Sequence, residues 1–173
     1  MPSYDKAVIE DLIDGTLPWP TTKSIMSSYK DEDRFEKYLS IVQERVAWSE
    51  PILLPIGEHL YIVQGESGRV VKCDCGQEFG DYRENWKLSA LVRVRSDREA
   101  IEELYPGRYA CDPEWMEIRE FICPGCTTLL EVEAAPPGFP IVFDFLPDLE
   151  TFYRDWLDRP LPAGTAPDGK ESP

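Results

Sequence analysis

The stretch "VVKCDCGQEFG", residues 70–80, places Cys73 and Cys75 one residue apart with Gly76 directly behind the second thiol. A matching stretch, "EFICPGCTTLLEV" at 120–132, places Cys123 and Cys126 three positions apart around Pro124 and Gly125. Two thiolates chelate one ion from a single tight turn only when they are this close, and Gly76 and Gly125 let the backbone turn around it. The flanks read as strands, whereas a redox C-x-x-C opens a helix, whose N-terminus lowers the thiol pKa. The reading that follows is a Cys₄ metal site on Cys73, Cys75, Cys123 and Cys126, formed by two facing hairpin turns in a zinc-ribbon-like arrangement. Four thiolates suit structural Zn²⁺ and equally a rubredoxin-like iron centre, and the sequence leaves that choice open. Either ion would be closed off from water and would brace the fold. The fifth cysteine, Cys111 in "YACDPEWM", has no neighbouring thiol and reads as a free, partly buried residue, with a ligand swap as the alternative.

Outward from the cysteines, the period of the apolar residues assigns the remaining elements. "PILLP" (51–55), "HLYIVQ" (59–64) and "RVVKC" (69–73) are short β-rich runs separated by glycine, a meander. "KLSALVRVR" (87–95) alternates as a strand with Leu88, Ala90, Val92 and Val94 on one face. "DREAIEELY" (97–105) is a short helix closed by Pro106-Gly107, and 115–123 and 128–134 are two strands joined through the second cysteine pair. Toward the N-terminus, residues 4–14 form a short amphipathic helix that Ser3 caps and Gly15 ends, and "TLPWPTTKS" interrupts it with Pro18 and Pro20. Residues 31–46 form a stronger helix, with Phe35, Tyr38, Leu39, Val42 and Val46 at spacings of three and four. At the other end, "PDLETFYRDWLDR" (147–159) is a helix with a stripe of Leu149, Phe152, Tyr153, Trp156 and Leu157. The expected class is α+β: N-terminal helices, a central β-rich zinc-ribbon-like region with the Cys₄ site, and a C-terminal helix. It forms one domain over 1–160, followed by a disordered tail at 161–173.

Composition restricts the function classes. The 173 residues are 42% apolar with five tryptophans, enough for one well-buried core. No apolar run approaches the ~20 residues of a membrane helix. "MPSYDKAVIEDL" carries charge where a secretory leader would be apolar, which makes the cytoplasm the expected compartment. In that compartment thiols stay reduced, so the cysteines are not a disulfide framework. The formal charge of −15 would repel phosphates, against a nucleic-acid ligand, and four thiolates with one divalent ion would make it more negative still.

Catalytic residues are not evident. His59, the sole histidine, sits in an apolar run and reads as a hydrogen-bonded structural residue. No phosphate-binding glycine loop is present. The basic residues Arg83, Lys87, Arg93, Arg95 and Arg98 are interleaved with acids and read as surface ion pairs.

The segments "YLSIVQERVAW", "CDCGQEFGDYRENWKLSALVRVR", "EWMEIREFICPGCTTLLEVEA" and "FDFLPDLETFYRDWL" resemble the gamma subunit of acetone carboxylases, over about residues 4–160. Acetophenone carboxylases have similar small subunits. The resemblance implies a non-catalytic structural subunit that holds Zn²⁺ on Cys73, Cys75, Cys123 and Cys126. Its partners would be larger, hydantoinase-like carboxylase subunits in a hetero-oligomer with two copies of each. Those partners would carry ATP, a divalent metal and the ketone, and the assembly would act as a C–C bond-forming ligase adding bicarbonate to the ketone. It implies no cysteine at position 111. The stripe of 149–157 and exposed tryptophans such as Trp48 are the expected contacts with the larger subunits.

Overall fold

A computed structural model of the chain describes residues 3–29 and 31–162. They fall into a helical unit through Ser49 and a β-rich unit from Glu50. Most of the expected tail, 163–173, lies outside the described residues.

The helical unit comprises α1 (Lys6–Ile13), α2 (Trp19–Ser27) and α3 (Arg34–Arg45), with Ile9, Ile25, Ile41 and Val42 buried. Lys6 pairs with Glu44 at 2.7 Å and Asp14 with Arg45 at 2.7 Å, tying α1 to α3. Gly15 ends α1 at φ +67°, as expected. Ser3 does not cap it; its hydroxyl donates to Asp33 instead. α2 corrects the expectation of a broken segment. Pro18 is its N-cap and Pro20 lies in its first turn, where the amide that proline lacks would have no intrahelical partner anyway.

The β-rich unit holds two antiparallel meanders. The first, β1 (Ile52–Pro55), β2 (Leu60–Gly65), β3 (Gly68–Cys73) and β4 (Glu78–Asp81), is ordered β1-β2-β3-β4. The second, β5 (Leu91–Arg95), β6 (Glu117–Ile122) and β7 (Leu129–Ala135), is ordered β5-β6-β7. α4 (Arg98–Glu102) follows β5, and α5 (Leu149–Thr151) continues as a wider turn over Phe152–Trp156. The architecture is the expected one of N-terminal helices, a β-rich centre with the cysteine cluster, and a C-terminal helix. One core joins both sheets: Leu53, Leu60, Ile62 and Val71 from the first meet Phe121 of β6, with Leu149 alongside. Trp86 sits edge-on between Phe79 of β4 and Phe121, with centroids 5.9 and 6.0 Å away.

Three expectations need correction. Residues 87–95 are not one strand, because Trp86–Ser89 is a 3₁₀ turn that inserts Trp86 into the core and leaves Leu88 exposed. On β5 the residue that buries is Arg95, while Leu91, Val92 and Val94 are exposed, as suits an edge strand. In the C-terminal helix, Leu149 and Tyr153 are buried, yet Trp156 is 78% exposed. The bond from the Leu157 amide to the Phe152 carbonyl spans five residues. Each residue of so wide a turn advances less than in an α-helix, so Trp156 rotates off the buried side.

The basic residues read as surface ion pairs are indeed paired, but two of them are inside. Lys87 has no exposed side-chain surface; its ammonium lies 3.0 Å from Asp144 and 3.4 Å from Glu133, contacts Glu131, and sits 5.2 Å above the Phe121 ring. Arg95 donates to Glu120 at 2.8 Å. Burial opposes the Lys87 charge, but Glu131 and Asp144 outweigh it and hold its pKa above the ordinary 10.5. The folded pKa is raised, so this group's stabilisation is full below about pH 10.5 and is lost as pH rises through the folded value. Lys87→Met is expected to cost about 3 kcal/mol at neutral pH, because three carboxylates are left facing a desolvated ring. The gap between variant and parent should narrow above pH 10.5, as read by urea unfolding across pH.

Tyr153 anchors the C-terminal helix to β1. Its hydroxyl donates at 2.7 Å to the carbonyl of Leu53, which lies at the register shift between β1 and β2. Tyr153→Phe leaves that buried carbonyl without its donor and is expected to cost about 1–3 kcal/mol in chemical unfolding.

Candidate metal centre

β3 ends at Cys73, and the turn before β4 carries Cys75; β6 leads into Cys123, and the turn before β7 carries Cys126. Each turn is closed by the amide of its first cysteine. Cys73 donates to the Gln77 carbonyl and Cys123 to the Thr128 carbonyl, both at 2.9 Å. The residue after each second cysteine adopts positive φ, Gly76 at +94° and Thr127 at +62°. Gly76 was expected to serve this purpose. Thr127 was not, since a β-branched residue is strained there.

The two turns interlock crosswise. Cys73 Sγ lies 3.8 Å from Cys126 Sγ, Cys75 Sγ lies 3.7 Å from Cys123 Sγ, and all four sulfurs fall within 4.8 Å of one another. Sulfurs at about 2.3 Å around one Zn²⁺ stand about 3.8 Å apart along each edge of the tetrahedron, so the four fit one ion. The same distances are too long for a disulfide. Cys73 and Cys123 are buried in the core that joins the sheets, and Cys75 and Cys126 are exposed. Gly125 acts by its size. A Cβ there would meet Gln77 Cβ at 3.1 Å and Cys75 Sγ at 3.3 Å, so a side chain would force the turns apart.

The thiols are electrostatically unequal. Burial pushes the Cys73 thiol well up and the Cys75 thiol up as well. The Thr128 hydroxyl, 3.2 Å from Cys126 Sγ, together with the Thr128 amide, lowers Cys126 to about 6. Exposed Cys126 is therefore the readier thiolate, and buried Cys73 needs a cation to ionise. A divalent ion supplies that, because a coordinated thiol loses its proton.

Asp74, which the sequence did not single out, braces the first turn together with His59. Asp74, between the two cysteines, donates its amide to the His59 carbonyl at 3.2 Å, and its carboxylate meets His59 Nδ1 at 2.5 Å. His59 is thus a hydrogen-bonded structural residue, as expected, in the bend before β2. Cys111 lies outside the cluster, half-buried, with its thiol 3.7 Å from the Met116 carbonyl.

Gly125→Ala is expected to weaken zinc at least tenfold in a chelator competition. Thr127→Gly, which relieves positive φ without touching a sulfur, is expected to leave zinc affinity unchanged and to raise stability by about 1 kcal/mol.

The family model of the acetone carboxylase gamma subunit matches residues 46–157, which include all four cysteines. The acetone carboxylase gamma subunit of Xanthobacter autotrophicus is 44% identical over 162 residues, covering 92% of this chain and 96% of that protein. The acetophenone carboxylase beta subunit of Aromatoleum aromaticum is 39% identical over 80 residues, 45% of this chain and 62% of that protein.

Proposed function

The chain belongs to the acetone carboxylase gamma subunit family, and from that membership we propose that it is the structural, zinc-binding small subunit of an ATP-dependent ketone carboxylase. The ketone is acetone or acetophenone, and bicarbonate is the carbon donor. Nucleotide, its divalent cation and the ketone are handled by larger hydantoinase-like subunits, two copies of each subunit assembling in the cytoplasm. Residues 1–160 act there as one subunit domain.

The match along nearly the whole length of an acetone carboxylase gamma subunit carries this reading. The cysteine geometry supports zinc in a bracing role, because four sulfurs close the coordination sphere and leave no position for a reacting water. Assembly is supported by Trp19, Trp115 and Trp156, which are 66%, 74% and 78% exposed. Trp48, expected among them, is half-buried. Of the 149–157 stripe, Leu149 and Tyr153 serve the core and only Trp156 is fully presented. Among the described residues, no helix is long and apolar enough to cross a membrane.

Co-expression with the larger subunits tests the reading. The chain should co-purify with them, carry one zinc per copy by elemental analysis, and show no visible absorption. A monodisperse chain that never co-purifies would sink it. A thiolate-to-iron absorption band that bleaches on reduction would replace the zinc with an electron-transfer centre.

A further inference from the structure

β7 is hydrogen-bonded on one side only, to β6. Among the described residues, no loop or helix backbone pairs with its outer side. Within Leu129–Ala135 there is neither lysine nor proline, the residues that commonly protect an open edge. Its two faces differ. Glu131 and Glu133 turn toward Lys87 and Arg119, whereas Val132 and Ala134 stand exposed on the opposite face, in register with Glu120 and Ile118.

On that second face lies a trough of about 390 Å³. Ile118, Val132 and Ala134 floor it, and Tyr105, Tyr109 and Met116 wall it. The floor runs from the central strand to β7, so the trough adjoins the open edge. Its lining is mainly apolar, with the Tyr105 and Tyr109 hydroxyls and the Cys111 thiol as its polar side-chain groups and no charged one. An open strand edge beside a side-chain pocket is the arrangement by which sheets take up an extended chain.

Charge selects the occupant. Asp112 and Glu114, in the segment that walls the trough, are exposed and have no cationic partner among the described residues. A second copy is disfavoured: antiparallel β7 pairing centred on Val132 would set Glu131 against Glu133 of the other copy, between chains of charge −15 each. We propose that the β7 edge and its trough receive an extended segment of a larger carboxylase subunit, with an apolar side chain seated in the trough and lysine or arginine beside Asp112 and Glu114. This rests on the reading of the chain as a carboxylase subunit.

Hydrogen exchange on the co-expressed complex and on the isolated chain tests it, together with Ala134→Lys. The lysine, at an exposed position, fills the trough and adds a charge that repels a basic segment. Amides of 129–135 should exchange at least tenfold more slowly in the complex. Ala134→Lys should weaken reassembly from separated subunits at least tenfold, with zinc content and exchange in β2 unchanged. A complex that forms with unaltered exchange at 129–135, or that tolerates Ala134→Lys, overturns this proposal and leaves the subunit reading standing. Concentration-dependent protection of 129–135 in the isolated chain assigns the edge to a second copy and likewise overturns it. Failure to form any complex overturns both.

Discussion

The interlocking of two hairpin turns through four sulfurs governs the rest of the β-rich unit. Cys73 and Cys75 lie at the β3–β4 turn of one meander, Cys123 and Cys126 at the β6–β7 turn of the other, and residues 76–122 form the loop that their meeting closes. Closing so long a loop in a flexible chain is entropically unfavourable, and the unfavourable term grows slowly with length. Something must hold the ends. The Phe79–Trp86–Phe121 stack does part of this, and Cys73 and Cys123 extend the same core. Metal site and hydrophobic core are therefore one construction, with two sulfurs facing inward and two outward. Without an ion, burial keeps the Cys73 thiol protonated, and the turns retain only weak sulfur contacts and the van der Waals fit at Gly125. With an ion, the same burial shields four metal–sulfur bonds from competing water. Binding and folding free energy are then hard to separate, as in small zinc domains generally.

Much of this was legible in the sequence, and the failures have a common cause. The cysteine spacing gave the cluster, and the periodicities gave α3, β2, β3 and the β6–β7 hairpin close to their observed bounds. β4 escaped because four residues with a single buried side chain, Phe79, have no alternation to detect. α2 escaped because prolines were read as breakers where they are starters. More instructive is the charge. Glu117, Arg119 and Glu120 of β6, with Arg95 of β5 and Lys87, are buried, yet in one dimension they look like solvated residues interleaved with opposite charges. A buried ion network and a surface one share a composition. What separates them is the distant partner, such as Glu133 beneath Arg119 or Asp144 reaching Lys87, and that pairing exists only after folding. Thr127 is a related case, since its positive φ is imposed by closing the turn and contradicts its own preference.

This inward use of charge constrains the fold. The chain has 18 lysines and arginines against 33 acids, and several of the cations are consumed internally. Asp31, Glu117 and Glu120 are buried as well, so the net charge of the outside stays close to that of the composition. Buried ion pairs add little net stability compared with a well-packed apolar alternative, but they penalise any arrangement that leaves one member unmatched. In the second meander the penalty falls on strand register. Shifting β7 by one residue against β6 would turn Glu131 and Glu133 away from Lys87 and Arg119 and put Val132 and Ala134 in their place. Lys87 also holds Asp144, and Asn85 donates to the Ile141 carbonyl, so the segment leading to α5 is fixed by the same cluster.

A frame so determined inside and so apolar in patches outside is suited to assembly. Phe139, Val142, Phe145 and Leu146 lie exposed along the segment that Lys87 and Asn85 hold in place, and Trp115 and Trp156 project from other parts of the same unit. Exposed aromatic and branched side chains on rigidly anchored backbone have little conformational freedom left to lose on contact, which favours burial against a partner. The acids between them, among them Asp148, Glu150 and Asp155, would disfavour self-association through those patches while leaving a basic partner free to approach. An ion bound there would have a consequence beyond local bracing: by fixing where the two meanders meet, it would fix where these apolar groups stand relative to one another across the β-rich unit. Four sulfurs around one ion would provide that constancy without a larger core.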